Sequence, residues 1–139
     1  MSSSPRRDIA QLINQNYLED TLVRIKKTSP GVSAISLMTR EGLPISSVMS
    51  EDLSSVKVDD VLFSAMAATI QSVSERAVTE LQKGSLEAVI LQSDMGFLFL
   101  KAVGERAVLS VLTDRKDQIG LLYIVLERIS KKLLERIEG

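Results

Sequence analysis

Apolar positions along the chain recur near every 3.6 residues in its long segments and gather into five short strand-like runs between turn residues. Tyr17 to Lys27 places Leu18, Leu22 and Ile25 on one face and predicts a first helix, stopped by Thr28-Ser29-Pro30-Gly31. Upstream, Ile9, Leu12 and Ile13 lie roughly 180° from that stripe at 100° per residue, so a break is expected near Asn14-Gln15-Asn16. Residues 1–16 are read as an extension, partly helical, with Ser4 as N-cap and Pro5 in its first turn, that packs elsewhere or docks on a partner. Residues 17–139 make up the domain.

Strand-like runs follow at Val32 to Met38 and Leu43 to Val48, joined by Thr39-Arg40-Glu41-Gly42 as a hairpin. Pro44 has no N–H to give a ladder, which places the second strand on a sheet edge. After a polar loop, Met49 to Lys57, a middle helix is predicted from Val58 to Lys83, with Asp59 and Asp60 at its positive end and Gly84 past its last turn. Leu86 to Gln92, Phe97 to Val103 and Arg106 to Leu112 read as a three-stranded meander turning at Ser93-Asp94-Met95-Gly96 and Gly104-Glu105. Ala88-Val89-Ile90-Leu91 and Phe97-Leu98-Phe99-Leu100 are apolar at successive positions, so both sheet faces need cover. A last helix, Ile119 to Ile137, carries Ile119, Leu122, Leu126, Ile129, Leu133 and Ile137 as its stripe, with Gly120 allowing close packing at its start. The order is αββαβββα, an α/β fold.

Two features point to an interface. Apolar and small residues of the middle helix spread over roughly 220°, wider than one sheet face covers. Either other elements of the chain cover the surplus or a second molecule does, and the length leaves few spare elements. Ala65, Ala67, Ala68 and Thr69 are small enough to admit a second helix. The strand Leu86 to Gln92 is expected at the sheet margin, yet Glu87 to Gln92 holds no Pro, Lys or Gly to block pairing. A twofold dimer with one sheet running through both copies would bury both features.

Composition then removes chemistry. With 139 residues and 45% hydrophobic content, one domain can bury about two thirds of the surface its unfolded chain exposes. The balance of 17 Lys+Arg against 18 Asp+Glu gives no field for phosphate neutralisation, so no nucleic-acid partner is expected. Zero Cys and zero His exclude disulfides, thiolate or imidazole metal sites and His-dependent nucleophilic catalysis. The densest apolar run, Leu121 to Leu126, is far short of the roughly 18 residues of a membrane span, and a cytoplasmic protein is expected. Glu51-Asp52 and Asp59-Asp60 read as solvated caps rather than metal or acid/base pairs, and the seven glycines match no phosphate-cradling motif. No catalytic residue, metal or cofactor is expected. Arg128, Lys131, Lys132 and Arg136 are interleaved with Glu127, Glu135 and Glu138 and read as a solvated face with i,i+4 pairs, the alternative being a patch for a phosphorylated partner.

Seven runs carry a family resemblance: Gly31-Val32-Ser33-Ala34, Arg40-Glu41-Gly42-Leu43-Pro44-Ile45, Ala65-Met66-Ala67-Ala68, Gly84-Ser85-Leu86-Glu87, Asp94-Met95-Gly96-Phe97, Ala107 to Asp114, and Ile119-Gly120-Leu121-Leu122. In this order the chain resembles the roadblock family over about Tyr17 to Ile137. The resemblance implies a profilin-like sandwich whose five-stranded antiparallel sheet has the order 2-1-5-4-3, with first and last helices on one face and the middle helix on the other. It also implies dimerisation through middle helices and third strands, and a non-catalytic platform that binds and regulates a Ras-like small GTPase. A structural adaptor without effect on GTP turnover is the alternative. The interface residues then expected are Val61, Leu62, Ala65, Met66, Thr69, Val73, Ala88, Ile90 and Gln92 of a homodimer, with Ala68, Ser72 and Arg76 as GTPase contacts.

Overall fold

The computed structural model of the chain describes residues 15–29, 31–49, 59–114, 117 and 119–138. The expected extension, apart from its last two residues, lies outside them, as do most of the polar loop and Val58. Helix α1 spans Gln15–Thr28 and so takes in Gln15 and Asn16, two residues before the expected start. Strands β1 (Val32–Thr39) and β2 (Pro44–Met49) form the first hairpin. Helix α2 spans Asp60–Glu80, and strands β3 (Val89–Ser93), β4 (Gly96–Val103) and β5 (Ala107–Thr113) lead to helix α3 (Ile119–Glu138).

The sheet has the order β2-β1-β5-β4-β3, all neighbours antiparallel, with β2 and its Pro44 on one edge and β3 on the other. The successive apolar positions are explained by a core on each face. Phe97, Phe99 and Val103 of β4 pack with Leu109 and Val111 of β5 against Leu18, Leu22 and Ile25 of α1 and Leu122, Leu126 and Leu133 of α3. Residues of opposite parity, Met38, Leu100 and Val108, pack against Phe63, Ala67 and Ala68 of α2. A register shift between Val32 and Ala34 lets Val32 join the first core while Ala34 points the other way.

Several ends move by a residue or two. Asp59 caps α2 by accepting from the Leu62 N–H at 2.6 Å, which sets the helix start at Asp60. Two ends move by three residues: α2 stops at Glu80 rather than Lys83, and at β3 Leu86, Glu87 and Ala88 lie outside the ladder, which begins with Val89 opposite Leu100. There Lys101 Nζ donates to the Glu87 carbonyl at 3.0 Å, supplying the bond a strand partner would otherwise make. The β4–β5 turn needs three residues, Gly104 to Arg106, because Val103 pairs with Ala107. Gly96 has a role beyond turning: at φ +146° a Cβ there would stand 2.2 Å from the Thr113 carbonyl oxygen, so only glycine lets β4 approach β5 here. Gly120 departs from expectation, since nothing lies within 4 Å of the Cβ it lacks.

Candidate interaction surface

Helix α2 lies on the sheet with Phe63, Ser64, Ala67, Ala68 and Gln71 buried beneath it. A rotation of about 100° per residue puts Leu62, Met66, Thr69 and Val73 along the opposite side. All four are exposed, as are Val61 and Ala65, with Val61 and Val73 still 62% and 63% accessible. Five of the six are apolar on a helix face that water covers, which is the surplus arc inferred from the sequence. Ser72 and Arg76 share this side, and the Arg76 guanidinium pairs with Glu80 one turn on at 2.9 Å. Ala68 does not. It is 6% exposed and faces inward, so the expected GTPase contact at this position is corrected: at its angle it lies with Ser64 and Gln71 over the strands.

Two of the four small residues of α2, Ala67 and Ala68, do different work from the one expected, while Ala65 and Thr69 stay on the exposed side. Gly42, at φ +95° in the β1–β2 turn, would bring a Cβ to 3.1 Å from Ala65 Cα and 3.4 Å from Ala68 Cβ. The hairpin turn therefore nests against the helix, and Ala67 and Ala68 serve the protomer's own core. Arg40, on the same turn, pairs with Glu75 of α2, and its Nη2 donates to the Gly104 carbonyl at 2.8 Å, tying α2 to two turns.

Sequence reasoning missed that the inward side of α2 is partly polar. Ser64 and Gln71 are buried at 0% and 2% exposure, and Ser64 Oγ and Gln71 Oε1 have no hydrogen-bond partner among the described residues. At the head of the helix, Ser47 Oγ donates to Asp60 Oδ1 at 2.5 Å. Asp60 thus holds β2 to α2, beyond the capping role read from its position.

At the other margin, β3 exposes Ile90 and Leu91 at 42% and 53%, with Gln92 beside them. Pairing of Leu91 with Leu98 and of Ile90 with Phe99 puts Leu91 on the α2 side of the sheet and Ile90 on the α1 and α3 side. Ala88 precedes the strand and packs half-buried against the first core. Ile70, Val89 and Leu98 pack at the edge of the α2 core, so the apolar surface runs on from the helix face toward the open strand.

Titratable chemistry is sparse. Among the described residues no group of three or more acidic, His or Cys side chains could hold a metal ion. Tyr123 packs edge-on to Phe99 at 5.6 Å, and desolvation, followed by the charges of Glu87 and Glu127, raises its phenol above the ordinary value. No described helix is long and apolar enough to cross a membrane.

A family model, the Roadblock/LC7 domain, matches residues 17–113, from the first turn of α1 through β5. The chain belongs to the Roadblock/LC7 family. The match stops short of α3, which the sequence resemblance had included. Among solved structures the chain is similar to a Roadblock/LC7 domain from Streptomyces avermitilis, with TM-score 0.74 and 20% identity over 91% of this chain and all of that one. It is also similar to Myxococcus xanthus MglB, with TM-score 0.79 and 17% identity over 91% and 98% of the two chains. An MglB described as having a tetrameric arrangement gives TM-score 0.71 at 14% identity, over 99% and 93%. At such identities these similarities speak for the fold. A curated relative, an uncharacterized protein of Methanocaldococcus jannaschii, is 29% identical over 116 residues, 84% of this chain and 96% of its own.

Proposed function

We propose that this roadblock chain is a cytoplasmic homodimeric platform, without a catalytic residue of its own, that binds and regulates a Ras-like small GTPase. The observation that carries the reading is the outward face of α2, where Val61, Leu62, Met66 and Val73 are exposed with no covering element among the described residues, together with the open edge of β3. Two copies related by a twofold axis would bury both at once, helix on helix and strand on strand. Membership of the family and the likeness to MglB structures support the platform role, and the GTPase as partner follows from the family resemblance. Ser72 and Arg76, exposed at the margin of the α2 face, are the contacts proposed for it. Their exposure, with Arg76 held only by its surface pair to Glu80, lets them reach the GTPase switch segments, whose ordering is the means of regulation proposed here.

Met66→Asp separates assembly from folding. Met66 is 45% exposed in the protomer, so the substitution costs the monomer little, while a carboxylate trapped between paired helices costs several kcal/mol. Light scattering after size exclusion should give a dimer for the wild type and a monomer for the variant. A monomeric wild type at about 50 μM would defeat the dimer. GTP turnover and exchange by the GTPase of the source cell, with and without the dimer, test the rest. Binding with unchanged turnover and exchange would favour a structural adaptor, and no binding to any GTPase of that cell would refute the regulator.

A further inference from the structure

A second surface lies on the far side of the sheet from α2. A groove of about 230 Å³ separates α1 from α3, with Ile25, Val125 and Ile129 among its apolar lining. Its rims are cationic: Arg24 stands on α1, and Arg128 and Lys132 stand on α3. Arg136, one turn beyond Lys132, lies with its guanidinium 4.3 Å from the centre of the Tyr17 ring and closes one end.

The interleaved charges of α3 are sorted by the helix. Glu127 pairs with Lys131 at 3.9 Å, whereas Arg128, Lys132 and Arg136, spaced four residues apart, form one ridge toward α1. None of these three, nor Arg24, has a carboxylate partner in the ion pairs of the described residues, Arg40–Glu75, Arg76–Glu80 and Lys131–Glu127. Four cations with no carboxylate partner among the described residues, around one apolar cleft, are a local concentration in a chain whose net charge is −1.

We propose that this groove docks an acidic, partly apolar peptide segment of a partner protein, with carboxylates on the cationic rims and an apolar side chain on the floor. Charge complementarity selects the occupant. It disfavours the chain's own N-terminal segment, whose Arg6 and Arg7 outnumber Asp8. The cations line a concave cleft with an apolar floor, which suits a peptide better than the flat face of a bilayer. Arg128 and Lys132 sit one turn, about 6 Å, apart along α3, matching carboxylates at i and i+4 of a helix. Leu121 and Ile124, 59% and 57% exposed on the preceding turns, would extend the apolar contact for a longer segment. The proposal stands apart from the α2 reading and uses none of its residues.

The test is fluorescence anisotropy with two labelled peptides of equal length, one Leu-rich with Glu at i and i+4, the other with Lys at those positions. The Glu peptide should bind and the Lys peptide should not. Arg24→Glu combined with Arg128→Glu, both exposed and so harmless to the core, should weaken binding about tenfold or more, and added salt should weaken it further. Amide resonances of Thr21 and Thr28 should shift on titration, and Glu105→Lys, on the distant β4–β5 turn, should change nothing. Binding should survive in Met66→Asp, which keeps this proposal distinct from the dimer. Equal binding of both peptides, no binding of either, or indifference to the double reversal would overturn it. So would saturation by inorganic phosphate alone, or a preference for phosphatidylserine vesicles over the peptide.

Discussion

Gly96→Ala and Gly120→Ala add the same methyl group and should move stability in opposite directions. Gly96 opens β4 opposite Ser93, at φ +146°, and its missing Cβ would stand 2.2 Å from the Thr113 carbonyl oxygen and 3.2 Å from Asp114 Cα. A real contact needs at least about 3.0 Å, so one strand must move. Neither is free to do so: Thr113 pairs with Phe97 and donates through Oγ1 to the Gly31 carbonyl, and the Asp114 N–H donates to the same oxygen at 2.9 Å. A non-glycine residue held at this φ costs about 1–3 kcal/mol. Forcing the overlap adds about 1–3 kcal/mol more, for a total of about 2–6 kcal/mol. At Gly120, the second residue of α3, the methyl meets nothing within 4 Å and removes a helix-disfavouring glycine. A gain of about 0.5 kcal/mol is expected, at the low end because the position is near the helix terminus. Urea unfolding followed by circular dichroism, at one fixed protein concentration, reads both. Gly96→Ala within 0.5 kcal/mol of the wild type, or Gly120→Ala destabilising by about 1 kcal/mol, would refute the packing argument.

Three further outcomes follow from the same geometry. Arg40→Ala should cost about 1–2 kcal/mol in urea unfolding, through the lost bond to the Gly104 carbonyl and a partly buried ion pair with Glu75; a cost below about 0.3 kcal/mol would mean the tie adds nothing to stability. Gln71→Met should be neutral or stabilising, because it removes a buried carbonyl oxygen without a partner and keeps the volume; a loss above about 1 kcal/mol would show that the oxygen is satisfied. Tyr123 has its phenol pKa raised on folding, so its contribution is complete below the unfolded value of about 10 and declines as pH rises past it. The urea midpoint of the wild type should therefore fall relative to Tyr123→Phe between about pH 9 and 11, and parallel profiles would contradict the shift.

The element order was legible in the sequence because each element announces itself locally. Short apolar runs bounded by turn residues mark the strands and a period near 3.6 the helices, and Pro44 can stand only where no ladder donor is required. Doubly apolar runs such as Phe97 to Leu100 implied a core on each sheet face before any contact was known. The exposed α2 face was legible for the same reason, as an excess of apolar positions over what one sheet can cover. Element ends were less so: β3 starts at Val89 rather than Leu86, and before it the Glu87 carbonyl accepts from the Lys101 ammonium rather than from a strand.

Three things were decided only by the tertiary structure, and each depends on residues distant in sequence. Ala68 looked like an interface residue because smallness permits close approach, but the partner that approaches is Gly42 of the same chain. Gly96 looked like a turn glycine, and its requirement comes from a carbonyl seventeen residues away, at Thr113. The cations of α3 looked evenly mixed with acids until Arg24, on a helix more than a hundred residues earlier, was brought against one side of them. Local periodicity specifies which way a side chain points from its own element. What stands there to meet it is set by the packing of elements across the sheet, which no single stretch of sequence contains.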